Sequence, residues 1–388
     1  MTFKPLFSKS ISAAPERLHF AAHSHHLWPD ASFAGQVECW DDAARLADRK
    51  WDRVMGEVWP EAQRHVAEEL GSGDPGAIVF AANTHDFLIR LVAACPRSDA
   101  RRLRLLMSDG EFHSARRQFA RWAEDGWLEV ETIAAEPFDD FSKRFLAAAT
   151  TGDHDLILVS QILFGSGREF NQVEPLAALS RPEGPWVVID GYHSFMAIPA
   201  PLTPAAAAGA FFLTGGYKYA MSGEGMGLMH CPPGFGPRPP VTGWYAEFDD
   251  LTLPAGMVGY AKDAMRFMGA TFDPSALYRF NHVRRALAEH GLTTARISAH
   301  VARLQAQMIE AIAPTVLGQA DLLNPLVEEG THARFLALRS PDTERWCSDL
   351  AAQNCITDVR GDVLRIGFGL YHDADDVERF AVLAGALG

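Results

Sequence analysis

The sequence predicts an α/β protein: a large domain on a mainly parallel seven-stranded sheet, followed by a small C-terminal α+β domain. Three observations carry this expectation. Seven short apolar runs bounded by Gly, Pro or Asp stand at 77–81, 103–107, 128–133, 156–160, 186–190, 210–214 and 226–230, the length and flanks of buried strands. Helical patterns fall between several of them, at 84–94 and 116–124, and alternation of strand and helix calls for parallel strands joined by crossovers. Beyond a long helical pattern at 273–313 the texture changes to strand 333–338, helix 343–353, strand 363–368 and helix 374–387. The N-terminal stretch through residues 27–29, with a helix at about 40–70, has no sheet of its own and is expected to pack across both parts. The division expected is an N-terminal arm at 1–45, a large domain at 46–272 and a small domain at 273–388.

At 388 residues and 48% hydrophobic content the chain can bury a sizeable core. No window of about 18 apolar residues occurs, and the first twenty residues lack the apolar stretch and cleavage site of a secretory signal. A cytoplasmic location without membrane contact is expected. Cys39, Cys95, Cys231, Cys347 and Cys355 are odd in number, widely spread and without a CxxC pair, so neither a disulfide framework nor a metal site is expected. A formal charge of −14, with scattered basic residues, opposes binding to nucleic acid. Any phosphate bound here must be held locally, as at a helix N-terminus.

Two segments carry the chemistry. The run 186–190 ends on Asp190, with His193 three residues later, and a carboxylate at a strand's carboxyl end faces the ligand crevice of an open α/β sheet. Taken alone, Asp190 is as readily a turn cap. The run 210–214 leads to Lys218, set between Tyr217 and Tyr219 in a glycine-rich stretch whose backbone can approach a ligand closely. Taken alone, Lys218 reads as a surface lysine. Together they lie one crossover apart and can face one ligand. Pyridoxal 5′-phosphate (PLP) chemistry requires this pair: an amine to form an imine, and a carboxylate to keep the ring nitrogen protonated.

On Asp190-Gly191-Tyr192-His193 and Tyr217-Lys218-Tyr219 the sequence resembles the class V aminotransferase group of fold-type I PLP-dependent enzymes, and within it the kynureninases. The resemblance runs over most of the chain in the same order. It implies PLP as cofactor, Lys218 as the Schiff-base lysine, Asp190 on the pyridinium nitrogen, and His193 beside the phenolate or phosphate edge. Tyr217 then orients the phosphate or shuttles a proton. Asn83-Thr84 match the loop that holds the PLP phosphate, although the residues alone also suit a plain N-cap. Phe112, in GEFHSARRQF, stands where kynureninases stack an aromatic ring on the pyridine. Ser160 or Gln161, opening SQILFGSGREFN, approaches the cofactor.

Further along, TGWYAEF resembles the family's Gly-Trp-Phe motif, placing Trp244 at the substrate pocket or at the phosphate across a dimer interface. RFMGATFDP resembles a Gly-Thr motif reaching the neighbouring subunit's phosphate through Thr271, here with Ala270 inserted. A homodimer is therefore implied. Arg365, in DVLRIGFGLYHDADDV, matches an arginine able to grip an α-carboxylate with two parallel hydrogen bonds, where an isolated strand arginine more often makes an ion pair. The family's Asn-Ser-x-Gly-Leu entry segment is replaced by His23-Ser24-His25-His26-Leu27, with Ser24 and His25 expected at the substrate, and Glu247 stands where the family has a histidine.

The reaction implied is hydrolytic Cβ–Cγ cleavage of an amino acid with a γ-ketone, such as kynurenine to alanine and an aromatic acid. The alternatives on the same scaffold are transamination, epimerisation and β-elimination. Cysteine desulfuration is disfavoured, because Cys347 falls in a helical pattern and Cys355 abuts a strand, not on an exposed loop. A ligand-binding protein without catalysis needs neither Lys218 nor Asp190.

Overall fold

The computed structural model describes residues 2–97, 102–248, 252–327 and 331–388. Its central sheet holds seven strands: β1 (Ile78–Ala81), β2 (Leu103–Ser108), β3 (Leu128–Ile133), β4 (Leu156–Ser160), β5 (Trp186–Asp190), β6 (Ala210–Gly215) and β7 (Gly227–His230). Their spatial order is β1-β7-β6-β5-β4-β2-β3. Pairing is parallel from β3 through β6, whereas β7 runs antiparallel to both of its neighbours, β6 and β1. The mainly parallel seven-stranded sheet expected from the sequence is therefore present, with one reversed strand.

Continuous apolar runs in β4 and β5 follow from burial on both faces: Leu156, Ile157, Leu158 and Val159, and Trp186 through Ile189, are all buried. At the edge, β3 keeps only Leu128 buried and exposes Glu129 and Glu131, the charged dressing of an edge strand. Helices Thr84–Ala94, His113–Glu124 and Phe138–Thr151 follow β1, β2 and β3. The carboxyl ends of β1, β2, β4, β5 and β6 consequently open along one edge of the sheet.

The pattern at 273–313 resolves into two helices, Ser275–Glu289 and Thr294–Ile312. Apolar periodicity hides the interruption at His290-Gly291-Leu292, but Thr293 starts a new helix by accepting from the Arg296 N–H. Leu277, Phe280, Val283 and Leu287 of the first helix join the core around the central sheet, and that helix packs on Asp30–Leu46. The second contributes Val301, Leu304 and Met308 to a separate core with Leu336, Ile366 and Phe380. The N-terminal helix expected at about 40 begins earlier, at Asp30.

The second sheet comprises β8 (Asp321–Leu322), β9 (Phe335–Arg339), β10 (Asp358–Arg360) and β11 (Val363–Gly367), ordered β10-β11-β9-β8 and antiparallel throughout. Two of these strands are too short to show periodicity. The N-terminal stretch, expected to lack a sheet of its own, is in fact paired: Leu18–His19 pairs in parallel with Cys355–Ile356, and the Gly367 N–H donates to the Phe20 carbonyl at 2.7 Å. This clamp lays residues 20–26 along the end of β11. No helix among the described residues is long and apolar enough to cross a membrane.

Candidate active site

A cavity of about 220 Å³ opens at the carboxyl ends of the parallel strands, lined by Asn83, Thr84, Phe112, Ser160, Asp190, Tyr192, His193, Tyr217 and Lys218 among others. Most of the residues expected around PLP thus meet in one place. At one end, the Asn83 side chain caps helix Thr84–Ala94 by accepting from the Asp86 N–H at 3.0 Å. The remaining first-turn N–H groups have no intrahelical acceptor, and the helix dipole adds positive potential there. Strand β7 passes so close that a Cβ on Gly227 would lie 2.3 Å from the Asn83 carbonyl carbon. Only glycine allows this loop its place.

Lys218 follows β6 and is 7% exposed. Its Nζ lies 2.7 Å from His193 Nε2, 4.9 Å over the Tyr192 ring and 5.9 Å from the Phe112 ring centroid. Burial, reinforced by the Arg365 charge and opposed by Asp190, pushes the amine down to about 7. Burial and the Lys218 and Arg365 charges hold the His193 imidazole well below its usual value, hence neutral. With Nε2 accepting from Lys218, the ring proton belongs on Nδ1, which is buried and has no partner among the described residues.

Asp190 closes β5 and accepts from the Tyr192 N–H at 2.9 Å through Oδ1. Burial pushes its carboxyl up, while that hydrogen bond and Lys218 pull it down. Tyr217 also lines the cavity, its ring 5.0 Å from that of Tyr192. The exposed His25 ring stacks on the outside of Tyr217 at 5.0 Å, with Nε2 3.7 Å from Glu224.

Other expected residues stand apart from the cavity. His25 and the half-buried Ser24 lie over its rim and do not line it. Gln161 donates to the Pro201 carbonyl at 3.2 Å, leaving Ser160 as the member of that pair on the cavity wall. Trp244 is exposed and packs on Tyr245 and Phe248, and Thr271 is exposed on a loop; neither lines the cavity of its own chain. Arg365 was expected to present two free donors. Instead its guanidinium is engaged, donating to the Phe164 carbonyl at 2.6 Å and to Asp358. The reason is register: Asp358 sits directly across from Arg365 on β10.

Two groups gained no role from the sequence. Glu111, fully buried behind Asp190, accepts from Ser108 Oγ at 2.5 Å, from the Ser160 N–H at 3.1 Å and from Ser160 Oγ at 2.5 Å. Burial, with a smaller push from Asp190, raises its carboxyl to about 7 against those hydrogen bonds. His23 lies wholly buried against the small sheet, its ring stacked on Phe335 at 4.9 Å. The signal for each was present only as a charged or ring residue inside a motif; burial supplies the rest.

No protein-family model matches the sequence. Isopenicillin N epimerase of Streptomyces clavuligerus is 28% identical over 200 residues, 49% of this chain and 48% of the epimerase, so the match spans about half the length of each. The fold is shared end to end with solved structures. A cysteine desulfurase from Thermococcus onnurineus NA1 superposes with a TM-score of 0.77 at 18% identity, over 99% of this chain and 97% of that one. The cystine C–S lyase C-DES, with its product cysteine persulfide, gives 0.78 at 15% identity over 97% and 100%. A C-DES variant with glycine covalently linked to its PLP cofactor gives 0.78 at 14% over 98% and 99%.

Proposed function

We propose that this chain is a PLP-dependent enzyme acting on an amino acid, with the cofactor held at Lys218. The observation that carries this reading is a buried amine, pushed down to about 7, facing the carboxylate of Asp190 across a cavity at the strand ends. The chemistry of the donor set fits the group. Lys218 supplies the amine for covalent attachment, Asp190 the partner for the pyridine nitrogen and Phe112 a ring face. Thr84, with the first-turn N–H groups of its helix, supplies donors for the phosphate. His193 supplies a neutral imidazole, and its unpartnered Nδ1 is a donor in want of an acceptor. Both the epimerase match and the C-DES structures support the same reading.

When bound, PLP supplies an electron sink that eases the loss of a group from the α-carbon of an amino acid. The chain's own residues do the rest. Lys218, its amine pushed down by burial toward the neutral form, removes or returns a proton at Cα, the condition general base catalysis favours. His193 accepts from the Lys218 amine and keeps it aimed. Asp190 holds a proton on the ring nitrogen. Ile162 and Phe164 give the cavity apolar walls that limit water.

For the reaction, the paired motifs around Asp190 and Lys218 favour kynureninase-like hydrolytic Cβ–Cγ cleavage. Epimerisation is the second reading, favoured by the identity with isopenicillin N epimerase. Desulfuration through a protein thiol lacks a candidate nucleophile among the described residues. Burial pushes Cys355 up to about 12, and neither it nor Cys347 lines the cavity. The proposed assembly is a homodimer, in which Trp244 and Thr271 of each copy serve the other copy's cavity.

The test is to incubate PLP-loaded protein with amino acids in deuterated water and follow Cα–H exchange by NMR, with L-kynurenine assayed in parallel for anthranilate fluorescence. Lys218-dependent exchange is expected. Anthranilate selects hydrolysis, and inversion of configuration selects epimerisation. PLP-loaded protein that exchanges no amino acid refutes the reading.

A further inference from the structure

Arg365 and Asp358 form a cross-strand pair that is almost wholly out of water, with side chains 4% and 10% exposed. Arg365 uses Nη1 on the Phe164 carbonyl and Nη2 on Asp358 Oδ2, and its Nε is buried with no partner among the described residues. Asp358 is shared, its Oδ1 lying 2.7 Å from Arg360 Nη1. A third group waits beside it. His23 Nε2 lies 3.7 Å from Asp358 Oδ2, too far for a hydrogen bond.

The placement of His23 is unusual in two ways. It is completely buried, yet neither ring nitrogen has a partner among the described residues, and native interiors leave few such groups unsatisfied. Its ring also fits only because residue 367 is glycine: a Cβ there would lie 1.9 Å from Nδ1. Burial and the charges of Arg365 and Lys218 keep the imidazole neutral, so it has one N–H to give and nothing to give it to.

We propose that Asp358 is a resident carboxylate that occupies Arg365 in the absence of substrate, and that His23 receives it when the α-carboxylate of an amino acid takes its place. The proposal rests on reading the chain as an amino-acid enzyme. A carboxylate grips a guanidinium best along one edge, with two parallel hydrogen bonds. On the Nε–Nη2 edge Nε has no partner among the described residues, and release of Asp358 frees Nη2. Asp358 then keeps Arg360 through Oδ1 and gains the His23 N–H through Oδ2, so no buried charge is stranded. His23 is a positioning residue, acting on substrate through Asp358 and Arg365.

The test measures the dissociation constant of L-alanine for the PLP-loaded protein by calorimetry, with the visible cofactor band recorded for every variant. Asp358→Asn removes the competing charge and is expected to tighten L-alanine binding about three- to tenfold. His23→Phe removes the receiving donor and is expected to weaken it about tenfold, the worth of one hydrogen bond to a charged group. His23→Asn, which keeps a donor, is expected to restore most of that loss. Weaker binding in Asp358→Asn, comparable to that of Arg365→Lys, overturns the proposal, because Asp358 then only braces the arginine. Equal losses in His23→Phe and His23→Asn overturn it as well, and decide the matter if Asp358→Asn does not fold. Absence of the cofactor band in the unsubstituted protein overturns instead the reading beneath it.

Discussion

Replacing Lys218 with methionine in the cofactor-free protein is expected to raise its stability at neutral pH. The side chain is buried and its amine is pushed down to about 7 from an ordinary 10.5. At about 1.36 kcal/mol per pH unit, holding the native amine protonated costs roughly 5 kcal/mol, nearly all of it felt at pH 7. Against this, methionine leaves His193 Nε2 without its donor, a loss of about 1–3 kcal/mol. Methionine fills a similar unbranched volume, so the net gain is on the order of 2 kcal/mol. The pH dependence has a definite sign. The unfolded lysine keeps its proton up to about 10.5, while the native one releases it from about 7. The unsubstituted protein therefore gains stability as pH rises through that window, and the methionine variant does not. Urea denaturation followed by tryptophan fluorescence at the two ends of the window measures both effects as shifts in midpoint at constant slope. A methionine variant less stable at pH 7, or an advantage that grows with pH, would refute the account of a buried, destabilised amine.

Three further outcomes are expected. Asp190→Asn retains the visible PLP band but loses turnover by about a hundredfold or more, because an amide cannot hold the ring nitrogen's proton by charge; steady-state kinetics beside absorbance of the same sample checks both halves. Gly227→Ala drives a Cβ against the Asn83 backbone at an overpacking cost of about 1–3 kcal/mol, and equilibrium dialysis is expected to report PLP binding weakened about tenfold or more. Sedimentation equilibrium is expected to give a dimer mass, and a monomer that binds PLP tightly would remove the proposed roles of Trp244 and Thr271.

Much of the fold was legible because its signals are local. The inner parallel strands β4 and β5 are buried on both faces and read as unbroken apolar runs, and the crossovers carry amphipathic periodicity. The direction of β7 was not legible, since an antiparallel strand buried between β6 and β1 has the same apolar texture. The interruption at 290–292 escaped because two successive amphipathic helices keep an apolar stripe in approximate phase. Asp190 and Lys218 were legible as a pair because one crossover separates two strand ends that open on the same edge. Asp358 and Glu111 were not. The partner of Arg365 is set by the register of a three-residue strand, and the raised carboxyl of Glu111 arises from burial beneath Ser108 and Ser160. His23 was visible as a departure from the family's entry segment, but its burial depends on the missing side chain of Gly367, distant in sequence.

The central claim, covalent attachment of PLP at Lys218, is tested most directly by reconstituting the protein with PLP, reducing with borohydride and mapping the modified peptide by mass spectrometry. The account predicts one reduced pyridoxyl adduct, on the peptide containing Tyr217-Lys218-Tyr219, and its loss in Lys218→Ala. An adduct on another lysine, or an equal yield from the Lys218→Ala protein, would contradict it.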